Sequence, residues 1–188
     1  MSQYKTIIIT GTSSGVGFSL AEYFGKKGHH VYGLSRKTVE SKYFTSIPTD
    51  ITDLGQIENA INQVLEKETR IDVLINNAGM GMVGSVEDST KEDITKLFNL
   101  NLIGAVQMMS AVMPSMRAQK QGQIINVSSI GSEMGLPFRG FYSASKSALD
   151  KVVEAMRYEV FQWNVDVCSL HLGDIKTKIA ENRVRTQV

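Results

Sequence analysis

The sequence predicts an α/β fold in which residues 1–188 form a single doubly wound, Rossmann-like domain with a mainly parallel sheet. Two observations carry this prediction. Short apolar runs rich in β-branched residues alternate with longer amphipathic segments, and each short run is continuously apolar instead of alternating with polar residues. Strands of this kind are buried on both faces, as in parallel sheets whose right-handed crossover helices cover both sides.

The first part of the chain predicts three strands and one helix. The run Tyr4–Thr10 predicts a buried strand, and a glycine turn then leads into a helix over Gly15–Lys27. The run His30–Ser35 predicts a second strand, and the segment 43–50 a weaker third.

The middle of the chain is mainly helical. Apolar residues at helical spacing cover Leu54–Glu68, where Asp53 is a candidate N-cap. The run Ile71–Asn76 predicts the clearest strand after the first, and a long helical pattern follows over Thr90–Arg117. Pro114 is expected to kink or close that helix because proline removes a backbone hydrogen bond.

The last part predicts a strand over Gly122–Ser128, a helix over Ser143–Phe161 and a final strand over Val165–Leu172. If Val188 is the natural end, the final strand becomes an edge of the sheet. An apolar edge promotes aggregation, so we expect a partner, a rearranged tail or an unusual packing to cover it.

The composition fits one globular domain, with 188 residues of which 42% are hydrophobic and 21% charged. The 20 basic and 19 acidic residues are spread along the chain, which predicts no nucleic-acid partner. The apolar runs are short and the N-terminus lacks a signal-peptide pattern, so no membrane association is expected. A lone cysteine, Cys168, excludes an intrachain disulfide framework; we expect a cytoplasmic protein in which this residue is a buried small hydrophobe.

The first strand ends in the glycine-rich stretch TGTSSGVG, Thr10–Gly17. Glycine permits a sharp turn and lets the backbone approach a pyrophosphate, which the N–H groups and dipole of the following helix would bind. A tight strand–helix connection is the alternative for such a turn. Because the turn follows the first strand, we interpret it as a cofactor site with the candidate residues Gly11, Thr12, Ser13, Ser14, Gly15, Val16 and Gly17.

The second strand ends in cations where an acidic residue would bind the adenosine ribose 2′-hydroxyl. Ser35 occupies the acidic position and Arg36 and Lys37 follow, so a 2′-phosphate would meet positive charge. The sequence therefore favours NADP(H), with NAD(H) possible; solvation of a loop by the two cations is the alternative. Asp50 and Ile51 follow the third strand as candidates for cofactor contacts near the adenine, although Asp50 could instead cap the next helix.

The stretch NNAG, Asn76–Gly79, ends the fourth strand. Its amides could clamp the carboxyl edge of the sheet, and its glycine would let the cofactor ribose approach the backbone. An Asx-type turn is the alternative. At this place in the fold we interpret the stretch as a floor for the cofactor, formed by Asn77, Ala78 and Gly79.

Tyr142 and Lys146 lie one helical turn apart and share a helix face. A free phenol has a pKa of about 10, and a nearby ammonium would lower it by stabilising phenolate, which suits proton exchange at neutral pH. Ser129 precedes this helix at a strand end, where its hydroxyl could orient a substrate oxygen for hydride transfer. An exposed helix face is the alternative for an isolated Tyr-x-x-x-Lys pair, and the accompanying motifs argue against it.

These motifs resemble the short-chain dehydrogenase/reductase family, with TGxxxGxG, NNAG and Tyr-x-x-x-Lys in the family's order. The resemblance implies that Ser129 orients the substrate and Tyr142 exchanges the proton. It also implies that Lys146 binds the ribose and stabilises the phenolate form of the tyrosine. It also implies that Asn101 holds a water linking Lys146 to solvent, with neighbouring Asn99 as the rival.

The resemblance extends to the stretch LGDIKT, Leu172–Thr177, where leucine replaces the family's usual proline. It implies that this stretch holds the nicotinamide carboxamide, with the candidate residues Gly173, Ile175 and Thr177. If Val188 is the natural end, the resemblance implies that the family's seventh strand and substrate lid are missing; a shortened sequence of a longer protein is the alternative. A homodimer through the helices at 90–117 and 143–161 is also implied.

The leading interpretation is an NADP(H)-dependent oxidoreductase that interconverts a carbonyl and a secondary alcohol on a small or lipid-like molecule. A weak similarity to the hydroxysteroid and retinol branch accompanies it, and Met80, Met82 and Met134 are expected near the mouth. A non-catalytic NADP(H)-binding sensor or scaffold is the alternative; a sugar-nucleotide epimerase is disfavoured because the chain has no room for a second domain. No metal-ligand cluster is predicted, and His171 is expected to be structural.

Overall fold

The computed structural model describes residues 4–173, 175 and 184–185, and it confirms the predicted alternation of strands and helices. The strands are β1 (Thr6–Thr10), β2 (His30–Ser35), β3 (Thr45–Pro48), β4 (Val73–Asn76), β5 (Met82–Val83), β6 (Gly122–Ser129), β7 (Val165–Leu172) and β8 (Val184–Arg185). The helices are α1 (Gly15–Lys26), α2 (Leu54–Glu68), α3 (Lys91–Phe98), α4 (Ala105–Gln119) and α5 (Gly140–Val160), and a π-helical segment, Asn99–Gly104, joins α3 to α4.

Six strands form one sheet in the order β3-β2-β1-β4-β6-β7, and all neighbouring pairs are parallel. The chain moves outward from β1 to β3 and then crosses back to β4, so the strand order reverses between β1 and β4. Doubly wound folds bind ligands outside the carboxyl ends of the strands at such a reversal. The predicted fold class is therefore confirmed, and the glycine turn and the NNAG stretch lie on the two sides of the reversal.

Both faces of the central strands β1 and β4 are buried, which explains why these two strands are almost continuously apolar. Ile8 and Leu74 belong to one apolar cluster, which also contains residues of α2, α4 and α5. Their strand neighbours Ile7, Ile9 and Ile75 belong to a second cluster, which contains Ala21 of α1. Because successive side chains of a strand point to opposite faces, a sheet covered on both sides needs an apolar residue at every position.

The long helical pattern extends further than predicted. It runs continuously over Lys91–Gln119, and Pro114 lies inside α4 without closing it. Met113 and Met116 flank the proline and are both buried, so their packing offsets the lost backbone hydrogen bond. By length and composition alone this stretch could cross a membrane, and 44% of its most apolar window is buried within the domain.

Helix α2 begins where the sequence predicts, whereas helix α5 begins earlier. The Asp53 carboxylate accepts a hydrogen bond of 3.1 Å from the backbone N–H of Gln56, which confirms the predicted cap of α2. Helix α5 begins at Gly140, earlier than the predicted Ser143. Tyr142 therefore lies in the first turn of α5 and not in the preceding loop.

The final strand corrects the prediction for Cys168, which is exposed. Val165 and Val167 face the core, whereas Cys168 and Leu170 point away from it. The sequence prediction failed because β7 is an edge strand with one buried face, so its apolar residues are not all core residues. In the described part of the tail, β8 pairs with β5 and leaves β7 unpaired on its outer edge, so cover by a partner stays a prediction.

Candidate active site

The glycine turn after β1 is built to approach another backbone closely. Gly11 and Gly15 adopt φ values of 74° and 61°, which glycine tolerates and other residues rarely adopt. A Cβ at Gly11 would lie 2.8 Å from Cα of Ala78, and one at Gly17 would lie 2.4 Å from Nδ2 of Asn77. The turn therefore needs glycine both for its conformation and for its contact with the NNAG stretch.

The NNAG stretch cross-links three strands of the sheet. Thr10 Oγ1 accepts hydrogen bonds of 3.0 Å from the backbone N–H groups of Asn77 and Ala78, and Asn77 Nδ2 donates to the Thr10 carbonyl at 2.9 Å. Asn76 Nδ2 donates to Asn126 Oδ1 on β6 at 2.9 Å. Because both amides bind partners distant in sequence, the clamp predicted from the sequence describes them better than an Asx-type turn.

The start of α1 offers unpaired donors to a ligand. Ser14 is the N-cap residue but its side chain makes no capping hydrogen bond, and the first turn contains no acidic residue. The Thr12 hydroxyl is fully buried and has no hydrogen-bond partner. Unpaired N–H groups and the positive end of the helix dipole favour a phosphate, so these residues fit the pyrophosphate of a dinucleotide.

The end of β2 presents positive charge to solvent. The Ser35 hydroxyl donates to the Lys37 carbonyl at 2.7 Å, which fixes the turn. Arg36 and Lys37 are both exposed. This arrangement leaves the two cations accessible to an anionic group beside β2.

The side chains that follow β3 are less available to a ligand than the sequence suggests. Asp50 Oδ1 accepts from the N–H and hydroxyl of Thr52 at 2.9 and 2.8 Å, which forms a local turn. Ile51 is buried in the core, so its backbone is the part available to a ligand. A Cβ at Gly104 would lie 2.7 Å from the Ile51 carbonyl, so glycine lets the π-helical segment pack here.

Lys146 is buried beside the NNAG stretch. Its Nζ donates to the Val127 carbonyl at 2.8 Å. A Cβ at Gly79 would lie 3.6 Å from this Nζ and 3.3 Å from Asn101 Oδ1, so the lysine and asparagine heads meet beside Gly79. Burial lowers the pKa of Lys146 to about 8, although attraction to the Asp150 carboxylate opposes this shift.

The π-helical segment turns Asn101, and not the alternative candidate Asn99, toward the site. Asn101 is 1% exposed, whereas Asn99 is exposed. Its Nδ2 donates to the Met80 carbonyl at 2.9 Å and to Ser145 Oγ at 3.1 Å, and its Oδ1 accepts from the Met80 N–H at 2.8 Å. π-helical turns often occur at functional sites, and here the turn directs an amide at the backbone next to Gly79.

Ser129 and Tyr142 complete the group. Ser129 is the last residue of β6, and its Oγ accepts from the Gly131 N–H at 3.1 Å. Tyr142 is half-buried and lies one turn before Lys146 on α5. The structure thus places both residues at the carboxyl edge of the sheet, and neither lies out in bulk solvent.

The remaining predicted residues differ in their surroundings. Gly173 and Ile175 follow β7 and are exposed, and Thr177 lies outside the described residues. Met134 is exposed. Met82 in β5 is only 3% exposed, so Met82 packs in the interior and does not line the mouth of the site.

Sequence reasoning missed a polar cluster around Asp150 and an exposed apolar rim. Ser128 Oγ donates to Asp150 Oδ2 at 2.9 Å, just before Ser129 on β6. A usable signal was present, because Asp150 follows Lys146 by one turn, as Lys146 follows Tyr142. The rim contains exposed large apolar side chains from two loops near the start of α5: Val86, Ile130, Met134 and Phe138.

Comparisons with known proteins agree with this geometry. The model of the family described as short chain dehydrogenase matches residues 5–188. The chain is 43% identical over 182 residues to a 3-ketodihydrosphingosine reductase of Bacteroides thetaiotaomicron, covering 96% of this chain and 68% of that protein. It is 30% identical to an NADPH-dependent 3-dehydrocapnine reductase of Ornithobacterium rhinotracheale, covering 92% of this chain and 66% of that protein.

A solved structure described as ElxO with NADP bound superposes with a TM-score of 0.89 at 28% identity. The match covers 94% of this chain and 76% of ElxO. The chain therefore spans only part of the length of its relatives, 68% and 66% for the two reductases.

Proposed function

The chain belongs to the short-chain dehydrogenase family, whose relatives here are oxidoreductases, and we propose that it is an NADP(H)-dependent reductase of a long-chain ketone. The observation that carries this proposal is the buried Lys146 ammonium, one turn after Tyr142, at the edge of the glycine-lined crevice. Family membership alone supports dinucleotide binding, whereas this pair supports turnover.

The proposed mechanism assigns each group one task. NADPH held by the glycine turn and the NNAG stretch would supply the hydride for the carbonyl carbon. The Ser129 hydroxyl donates to the substrate oxygen and orients it. Tyr142 donates its proton to that oxygen, and the Lys146 ammonium stabilises the phenolate that results. Asn101 holds the backbone of Met80 beside Lys146, which fixes one wall around the lysine head.

Two features support NADP(H) over NAD(H). Arg36 and Lys37 are exposed beside the end of β2, where a 2′-phosphate would lie, and Ser35 replaces the carboxylate that would repel it. One relative is named as NADPH-dependent, and ElxO has a solved NADP complex.

The apolar rim supports a lipid-like substrate. Ile130 directly follows Ser129, and the Phe138 carbonyl accepts from the Gly84 N–H at 2.9 Å, which joins the two loops. Val86 Cγ2 would lie 3.2 Å from a Cβ at Gly140, at the start of the catalytic helix. A hydrocarbon chain leaving the carbonyl would cover these exposed side chains. The 43% identical relative is named for a ketone of a sphingoid base, which carries such a chain.

A substrate series tests this proposal. The full chain is assayed with NADPH on 3-ketodihydrosphingosine and on short ketones that lack the hydrocarbon tail. We expect turnover of the long ketone at a kcat/KM at least about 10-fold above the short ones, because each buried methylene contributes about 0.8 kcal/mol. NADPH binding without turnover of any ketone would instead favour the sensor or scaffold.

We also propose a homodimer through α3, α4 and α5 in the cytoplasm. Tyr158 and Phe161 are 78% and 81% exposed at the end of α5 and its following turn, and an apolar surface of this kind suits burial against a second copy. Light scattering of the wild type and of Phe161→Glu tests it. We expect the wild type at twice the chain mass and the variant shifted toward the monomer; a monomeric wild type would contradict the proposal.

A further inference from the structure

A cluster of polar side chains joins α5 to the ends of β6 and β7. The half-buried Asp150 carboxylate accepts from Ser128 Oγ at 2.9 Å, and His171 Nε2 lies 3.1 Å from the same Oδ2. Glu133 Oε1 lies 3.4 Å from His171 Nδ1 at the exposed side of the cluster. None of these four residues has a task in the mechanism above.

Helix α5 holds the end of β6 through two successive turns. Lys146 Nζ binds the carbonyl of Val127, and Asp150, one turn later, binds the hydroxyl of Ser128. The next residue of β6 is Ser129. These two contacts therefore set how α5 lies against the strand, and with it the placement of Tyr142 and Lys146 relative to the serine hydroxyl.

The same carboxylate supplies charge to a buried cation. An ammonium with no opposing charge loses its proton readily when it is removed from water. Asp150 lies one helical turn after Lys146, and the two side chains bind adjacent residues of β6, so the carboxylate attracts the Lys146 ammonium and opposes the effect of burial. Burial raises the pKa of Asp150, but hydrogen bonds from neighbouring serine hydroxyls outweigh this and hold the pKa below its usual value. Asp150 is consequently charged at neutral pH.

We propose that Asp150 is a positioning residue that fixes α5 against the end of β6 and keeps the Lys146 ammonium charged. The inference rests on the proposed function for its catalytic consequence, but the coupling between the two side chains can be measured without turnover. Asp150 thereby acts through Lys146 and does not touch the substrate.

Several charged groups surround Asp150 and Lys146, and the experiment must account for them. Lys151 faces Asp150 from α5, His171 faces it from β7, and Glu133 faces His171 from the turn after β6. Lys151 also pairs with the exposed Glu154 at 2.7 Å. Glu154→Gln therefore removes a carboxylate from the same helix, one turn further on, and is the matched control.

The experiment follows the titration of Lys146 in the full chain by NMR of protein labelled with ¹³C at the lysine Cε carbons. Lys146→Met identifies the signal. In Asp150→Asn, which keeps an acceptor for Ser128 but removes the charge, we expect the midpoint to fall by about one pH unit. In Glu154→Gln and Asp150→Glu we expect the wild-type midpoint. If Asp150→Asn does not fold, Asp150→Ser removes the same charge with a shorter side chain and is measured in its place.

The pH profile of kcat then tests the catalytic consequence. Loss of the carboxylate lets Lys146 deprotonate at lower pH, so the alkaline limb of ketone reduction should move to lower pH by a similar amount. An unchanged Lys146 midpoint in a folded Asp150→Asn protein overturns the inference. A shifted midpoint in a protein that reduces no ketone leaves the inference standing and contradicts the proposed function instead.

Discussion

The two ends of the sheet use polar residues in opposite ways. At the amino end, Tyr32 donates to Glu68 Oε1 at 2.6 Å and His30 Nδ1 lies 2.7 Å from Oε2, so the carboxylate is engaged on both oxygens. At the carboxyl end, the buried hydroxyls of Thr12 and Ser143 have no partner. An unpaired buried polar group costs stability unless a ligand pairs with it. The Glu68 cluster at the amino end is therefore satisfied within the fold, whereas the Thr12 and Ser143 hydroxyls at the carboxyl end are left to pair with another molecule.

The largest expected effect comes from removing the phenol at the carboxyl end. Tyr142→Phe should lower kcat for ketone reduction by about 10²- to 10⁴-fold, because general acid catalysis contributes that much. NADPH affinity and the unfolding midpoint should change little, since the ring is kept. Tyr158→Phe, at the exposed end of the same helix, is the control and should keep full kcat. Equal activity in the two variants would show that the phenol is not the proton donor.

The second effect tests the contact between the glycine turn and the NNAG stretch. In Gly17→Ala the added methyl would lie 2.4 Å from Asn77 Nδ2 and 2.5 Å from the Gly11 carbonyl. We expect the free energy of unfolding to fall by about 1–3 kcal/mol, as for other overpacked sites.

Cofactor binding should fail in the same variant. NADPH raises the melting temperature of a protein that binds it in the native state, and this rise should be lost in Gly17→Ala. Gly135→Ala is the matched control, because a Cβ there meets nothing within 4 Å. A full NADPH-induced shift in Gly17→Ala would contradict a cofactor site that requires glycine at this position.

The third effect distinguishes the binding of NADPH from that of NADH. Arg36→Ala should weaken NADPH binding by about 10- to 100-fold, because a charge-assisted hydrogen bond to phosphate contributes about 1.5–3 kcal/mol. NADH lacks the 2′-phosphate, so its affinity should stay the same and serves as the internal control. Fluorescence titration with each dinucleotide measures both values. Parallel losses for NADPH and NADH would show that Arg36 does not read the 2′-phosphate.

The sequence predicts residues with local requirements better than residues that meet through the fold. The bounds of β2, α2 and β7 agree with the structure, because capping by Asp53 and apolar runs are local signals. The Ser128, Asp150 and His171 cluster joins residues from three elements. Helical spacing puts Asp150 on the face of Lys146, but no short-range pattern shows that Ser128 and His171 meet it.

Cys168 was mispredicted for a related reason. Its strand carries apolar residues on both faces, but the order of strands makes β7 an edge, and order is a property of the whole sheet. The motifs at the site were readable because glycine conformation and helix spacing constrain them locally.

The smallest expected effect lies at the amino end and should concern stability alone. Burial raises the pKa of Glu68, but hydrogen bonds from His30 and Tyr32 outweigh this and hold the pKa below its usual value. A carboxylate whose pKa is lowered by folding stabilises the protein above its unfolded value of about 4.3, and this contribution is lost as the pH falls below it. Glu68→Gln should therefore lower the free energy of unfolding at pH 7 by about 1 kcal/mol, with kcat unchanged.

Urea denaturation of both proteins between pH 7 and pH 3 measures this contribution. The difference between wild type and Glu68→Gln should shrink as the pH falls, because the wild-type carboxylate gains a proton and its advantage over the amide disappears. If the difference in the free energy of unfolding stays constant with pH, the shape of the Glu68 side chain and not its charge stabilises the amino end of the sheet. A loss of kcat in a stable Glu68→Gln protein would break the contrast between the two ends, since it would connect the amino-end cluster to catalysis at the opposite edge of the sheet.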